Sequence, residues 1–148
     1  MLPILRATVV TLSAIALVGV VVSPAAAEGG RPFTTELTGE AEVTAAGVPN
    51  QGDLDGTGSA SLTINPGLRE VCWTIEVSGV EPIAAAHIHA APATTTGAIV
   101  VPLNPFAGGC TSVSRDLALA IIQHPSNYYV NVHNAPFMAG ALRGQLSR

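Results

Sequence analysis

The stretch Val71-Cys72-Trp73-Thr74-Ile75-Glu76-Val77 decides the fold class, because apolar and polar side chains alternate along it. In a β-strand, successive side chains point to opposite faces of the sheet. The odd positions are therefore predicted to face a core, while Thr74 and Glu76 face away. Trp73 is the only tryptophan of the chain, and we expect it at the centre of that core.

The same period-two pattern recurs along the chain and predicts about seven short strands. They cover residues 37–43, 59–64, 71–77, 85–90, 98–103, 128–133 and 141–146. Turn-forming residues separate several of them, for example at residues 49–52, 65–67 and 105–109. Residues 114–123 instead predict a short helix that begins at the capping residue Ser114 and ends before Pro125. This set favours an all-β fold, either an antiparallel two-sheet sandwich or a Greek-key barrel with one short helix.

Residues 1–27 predict a cleavable signal peptide. Arg6 is followed by an uncharged apolar run and then by Ala25-Ala26-Ala27, so we expect cleavage after Ala27 and a secreted chain that begins at Glu28. A retained membrane anchor is the alternative, but the apolar run of about 16 residues is shorter than the ~20 that span a bilayer. The mature form is thus not expected to span a membrane. Residues 28–33 are expected to form a disordered tail, and residues 34–148 a single domain.

The charge balance argues against a nucleic-acid partner. The chain has six arginines, no lysine and ten carboxylates, for a net charge of −4; removal of Arg6 with the leader changes this to −5 (5 − 10). Binding to phosphates requires clustered cations, and none are clustered in this sequence.

Cys72 and Cys110 are the only cysteines. In an exported protein an even cysteine count favours a disulfide, with two free buried thiols as the alternative. A bridge that closes a loop of about 39 residues is expected to stabilise the fold by roughly 4 kcal/mol.

Three histidines could form a metal site. His87 and His89 are two residues apart on a predicted strand, so they project from one face about 6.6 Å apart along the chain. His133 lies on another predicted strand and shares its face with Asn131. If the two strands are close in space, three imidazoles suit zinc or copper. The alternative is that each imidazole forms ordinary hydrogen bonds on a polar face of the sheet; His124, at the predicted helix end, is interpreted as structural.

The remaining polar residues give no catalytic set. Arg143, with Asn131, is expected to support the polar face, and to pair with a carboxylate such as Glu76 or Glu40; a clamp for a substrate carboxylate is the alternative. Asp53 and Asp55 resemble the start of a calcium loop, but the downstream acid is missing, so we interpret the segment as a solvated turn.

Several segments together resemble one known family, the CHRD domain, named after chordin. The similarity runs from about Thr34 to Leu146. Its motifs are Leu37-Thr38-Gly39 with Glu42-Val43, Gly56-Thr57-Gly58, Ala86-His87-Ile88-His89, residues 97–103, Tyr129-Val130-Asn131-Val132-His133 and residues 140–146.

The resemblance implies a secreted all-β domain without an established enzyme activity, repeated in an extracellular antagonist of growth-factor signalling and found singly in bacterial proteins. The chain departs from the family pattern at Ala90-Ala91-Pro92, where a glycine is usual, and at Ala141, where glutamate is common. We therefore expect the loop beside the histidines to differ in shape.

Two functions are expected from these observations. The first is a non-enzymatic binding or structural module of the cell envelope or extracellular space, whose partner is an unidentified protein or envelope component. The second is an extracellular metalloprotein that binds zinc or copper through His87, His89 and His133, with catalysis at the metal still open. The oligomeric state is not predicted.

Overall fold

The computed structural model describes residues 29–80 and 82–148. The predicted signal peptide lies outside these residues. Within the described part, no helix is both long enough and apolar enough to cross a membrane.

Eight strands and one α-helix make up the described chain. The strands are β1 (Arg31–Thr38), β2 (Thr57–Asn65), β3 (Glu70–Ser78), β4 (Ile83–Ala90), β5 (Ala98–Pro102), β6 (Gly108–Ser112), β7 (Tyr128–Asn134) and β8 (Leu142–Gln145). The helix α1 (Arg115–Gln123) follows β6, and a 3₁₀ turn (Pro125–Asn127) precedes β7.

All eight strands lie in one antiparallel sheet with the order β5-β4-β7-β8-β1-β2-β3-β6. In a flat sheet the two edge strands would be about 34 Å apart, since neighbouring strands are spaced about 4.8 Å. Residues 103–107 connect these edges and can bridge at most about 22 Å even when extended. The sheet therefore curls into a nearly closed barrel, which confirms the all-β prediction with one short helix and selects the barrel over the two-sheet sandwich.

The hydrophobic core fills the inside of the barrel. Every strand except β6 contributes at least one buried apolar residue. Trp73 is only 4 % exposed, as the alternation around it predicts. α1 adds Ala118 and Ile121 to this core. The helix begins as predicted, because the Ser114 hydroxyl accepts a hydrogen bond from the Leu117 N–H at 3.1 Å.

Two predictions near the N-terminus are wrong. The expected tail at residues 28–33 is ordered from Arg31 onward, where β1 begins and buries Phe33. The strand predicted at residues 37–43 ends at Thr38, and a turn follows in which the Glu42 N–H donates to the Gly39 carbonyl at 3.2 Å. The chain then leaves the sheet, and residues 39–56 form a loop.

The strand β6 was not predicted, and its first two residues lie in the turn expected at residues 105–109. Gly108 and Gly109 suggest a loop, but the strand pairs with β3 from Glu70↔Ser112 to Thr74↔Gly108. In this register Cys72 lies opposite Cys110, and the two form the predicted disulfide. The bridge attaches an edge strand to the barrel.

Candidate metal centre

The three histidines lie on the outer face of two neighbouring strands, β4 and β7. Ile88, Val130 and Val132 point into the core, so alternation directs His87, His89 and His133 to the opposite side of the sheet. The antiparallel register places Ala85 opposite His133 and Asn131 opposite His87. His133 is therefore the diagonal neighbour of His87, which confirms the strand adjacency on which the predicted site depends.

The imidazole rings form a compact triangle. Ring centroids are 5.0 Å apart for His87 and His133, 5.6 Å for His87 and His89, and 5.9 Å for His89 and His133. One nitrogen of each ring lies within 4.8 Å of the others. Zn–N bonds of about 2.1 Å at tetrahedral angles require nitrogens about 3.4 Å apart, so modest side-chain rotations would close the triangle.

Main-chain carbonyls fix the orientation of two of the rings. His89 Nδ1 lies 2.9 Å from the Gly97 carbonyl, and His133 Nδ1 lies 3.1 Å from the Met138 carbonyl. A carbonyl oxygen only accepts, so both Nδ1 atoms carry the proton and both Nε2 atoms keep a lone pair. This is the arrangement that orients histidines in metal sites.

Three nitrogens in the cluster are buried and have no hydrogen-bond partner among the residues that the structure describes. They are Nδ1 of His87, Nε2 of His89 and Nε2 of His133. The alternative of ordinary hydrogen bonding thus accounts for one nitrogen of His89 and one of His133, but not for these three atoms. Buried polar atoms are normally paired, so unpaired nitrogens on three rings this close together fit a bound cation.

All three imidazoles favour the neutral form that binds metals. Burial, followed by the charges of His133 and His89, lowers the pKa of His87 to about 4. Burial also lowers the pKa of His89 and of His133, although the hydrogen bonds to Gly97 and Met138 oppose this. Near pH 7 the cluster therefore offers lone pairs without first releasing protons.

Arg143 supports the site through a loop rather than through an ion pair. Its guanidinium donates to the carbonyls of Thr95 (3.0 Å) and Pro92 (2.8 Å), and its Cζ lies 3.5 Å from the centroid of the Tyr129 ring. The predicted pairing with Glu76 or Glu40 is wrong. Arg143 lies on β8, three strands from Glu76 on β3 and so about 14 Å away, whereas Glu40 lies exposed in the loop after β1.

Tyr129 connects Arg143 to the histidines, and sequence analysis missed it. Its ring stacks on His89 with centroids 4.9 Å apart and planes 10° from parallel. Its hydroxyl accepts a hydrogen bond from the Gly97 N–H at 3.3 Å. The available signal was its spacing, because Tyr129 precedes Asn131 and His133 by two and four residues and so shares their face.

Asn131 anchors a buried carboxylate that was also missed. Its side-chain amide donates to Glu42 Oε2 and to the Leu142 carbonyl, the latter at 2.9 Å. Burial raises the pKa of Glu42, whereas the Val43 N–H bond and the charge of Arg143 oppose the rise. Nothing local in the sequence indicates this role, because Glu42 reaches Asn131 only when the loop at residues 39–56 folds over the sheet.

A second group of potential ligands comprises Glu70, Cys72 and Cys110. Both sulfur atoms belong to the disulfide, so this group has no thiolate to offer a metal.

Comparison with known proteins gives one match. The sequence model of the CHRD domain matches residues 33–146, which is most of the chain and nearly the range of the resemblance. Neither the curated proteins nor the solved structures yield a match.

Proposed function

The chain belongs to the CHRD domain family, and from that premise we propose that it is an extracytoplasmic metal-binding module that holds zinc or copper through His87, His89 and His133. In this proposal the domain binds and retains the ion and does not turn over a substrate.

The convergence of three buried, unpartnered imidazole nitrogens carries the proposal. Each such atom costs the fold about 1–3 kcal/mol, because it has lost water and gained no partner. A cation at the centre of the triangle would bind all three lone pairs. A purely structural cluster would instead retain the cost at three neighbouring positions.

The donor type supports zinc or copper. Neutral imidazoles suit both ions, whereas calcium and magnesium prefer oxygen ligands. Three histidines leave a fourth position open for water or another ligand. That open position would also permit catalysis, but Glu42, the buried carboxylate of this face, is already engaged by Asn131 and the Val43 N–H. This engagement supports binding over turnover.

Metal analysis tests the proposal. Protein purified after export is exposed to zinc or copper, dialysed, and measured for metal content. We expect about one ion per chain for the wild type and a loss of most of it in His87→Ala. His124→Ala is the matched control, since His124 caps the C-terminal end of α1, is exposed and lies outside the cluster. Equal metal content in wild type and His87→Ala would contradict the proposal, provided that both show the same Trp73 fluorescence.

Export is proposed on separate grounds. The leader-like composition of residues 1–27 and the Cys72–Cys110 bridge both suit an oxidising compartment. The intact mass of the protein recovered outside the cytoplasm is expected to correspond to a chain that begins at Glu28. An abundant species that retains residues 1–27 would instead indicate a membrane anchor.

A further inference from the structure

A cavity of about 450 Å³ adjoins His87. One wall is the start of β4 at residues 83–87, and the other is the segment at residues 102–106, where the chain leaves β5. The volume lies within the range of about 300–1,000 Å³ that is typical of small-molecule sites.

Among the residues that the structure describes, those that line the cavity carry no charge. Its surface is mixed, and Ile83, Leu103 and Phe106 contribute to the apolar part together with alanines and two prolines. Its polar side chains are His87 and Asn104. A ligand that carried a full charge of its own would therefore meet no opposite charge on these walls, whereas an apolar body would gain from burial.

His87 belongs both to this cavity and to the histidine triangle. The three candidate donor nitrogens are buried, so a molecule that reaches a bound ion needs an opening beside one of the rings. His87 is the residue shared by the cavity and the triangle, so the cavity is the candidate route to an ion held there. With three protein ligands, a zinc or copper ion has a coordination position left to accept an external donor.

We propose that this cavity binds an uncharged small molecule that has an apolar body and one nitrogen or sulfur donor, and that the donor occupies the open position of the metal. The inference rests on the proposed metal-binding function and adds the class of ligand. Asn104, across the cavity from β4, is the polar side chain available to such a molecule besides His87.

The experiment uses the copper(II)-loaded protein and two probes, imidazole and 4-phenylimidazole. Both carry the same donor, but only the second carries an apolar body, and binding is followed by the visible absorption of copper. We expect 4-phenylimidazole to bind the wild type about tenfold more tightly than imidazole, because its phenyl group is buried.

Ala84→Phe tests whether the cavity causes this preference. Ala84 is exposed at the cavity wall, so the added ring fills the cavity without entering the core. The variant is expected to retain copper and imidazole binding but to lose the preference for 4-phenylimidazole. Ser61→Phe, an equal addition at an exposed position of β2, is expected to keep it. If Ala84→Phe loses copper, Asn104→Phe fills the cavity from the opposite wall.

The outcomes separate the two proposals. A wild-type protein that takes up neither copper nor zinc overturns both. Copper uptake without a preference for 4-phenylimidazole, or a preference that persists in the cavity-filled variant, overturns only the ligand inference.

Discussion

Burial decides the protonation of His87 more than its neighbours do. The ring has lost part of its hydration, and the two other imidazoles add positive charge whenever they are protonated. His89 and His133, which disfavour a proton on His87, are also close enough to bind one metal ion together with it. A low pKa and metal affinity are thus two consequences of one local arrangement.

The metal-free protein is therefore expected to lose stability in acid. The pKa of His87 is about 4 in the folded state and 6.5 without the fold. As the pH falls below 6.5, the unfolded chain takes up a proton that the folded chain refuses until about pH 4, so the free energy of unfolding decreases across this window. Above pH 6.5 His87 is neutral in both states, so none of this free energy of unfolding is lost. Urea denaturation of the metal-free protein at pH 7 and pH 5 measures the change.

His87→Asn provides the comparison for this pH effect. Asparagine does not titrate, so the decrease between pH 7 and pH 5 should be smaller in the variant. His89 and His133 retain their own contributions in the same direction, whereas the raised pKa of Glu42 acts in the opposite direction. Identical decreases in both proteins would show that His87 does not resist protonation.

Arg143 is expected to control both stability and metal affinity. Its replacement by alanine leaves the Thr95 carbonyl without its donor, and the Pro92 carbonyl keeps only the Thr95 N–H. It also removes the guanidinium that lies over the Tyr129 ring. We expect the free energy of unfolding to fall by about 2–4 kcal/mol. The freed loop also carries Gly97, whose carbonyl orients His89, so metal affinity should fall as well.

Chemical denaturation and metal titration of Arg143→Ala measure the two effects. Arg148→Ala is the matched control, because this exposed arginine donates to the Gln123 carbonyl and not to the loop at residues 91–97. A variant that is destabilised yet binds metal as the wild type does would limit Arg143 to a structural role.

At the scale of the elements, the alternation of apolar and polar residues predicted the strands that have one buried face. The strands around Trp73 and His87 were placed almost to the residue, because one face of each is buried and fixes the pattern. β6 was missed, since Gly108 and Gly109 carry no alternation and their strand is specified by pairing with β3. The three histidines were predicted only in part. The sequence predicts which face of its strand each one occupies, but their adjacency depends on the register between β4 and β7.

The disulfide is expected to stabilise the barrel without affecting the metal centre. Cys72 and Cys110 join β3 and β6, whereas the histidines lie on β4 and β7. Replacement of both cysteines by serine should lower the free energy of unfolding by about 2–4 kcal/mol, because the unfolded chain regains the freedom of a long loop. Metal content per folded chain should stay the same. Loss of metal from a variant that remains folded would reveal a coupling between the disulfide and the three histidines.

At the scale of the whole molecule, the fold has a polar cluster outside its apolar core. The inside of the barrel is closed by apolar side chains, and the outer face of β4, β7 and β8 is covered by the loops at residues 39–56 and 91–97. Arg143, Asn131 and Glu42 are buried in this cover rather than in the core. The proposed metal site thus depends both on the pairing of β4 with β7 and on the loops that pack onto this face.

Because the site exists only in the folded chain, metal should raise the stability of the whole domain. His87 and His133 are 46 positions apart, so the unfolded chain offers at most the weaker His87–His89 pair. An ion at 100 times its dissociation constant would add about 2.7 kcal/mol to the free energy of unfolding, less any binding to that pair. Thermal unfolding with zinc should therefore show a higher Tm that increases with zinc concentration in the wild type and in His124→Ala, but not in His87→Ala. Magnesium at the same concentrations should have little effect, since it prefers oxygen ligands. An equal shift with both ions would indicate general binding to the acidic surface instead of binding by the three imidazoles.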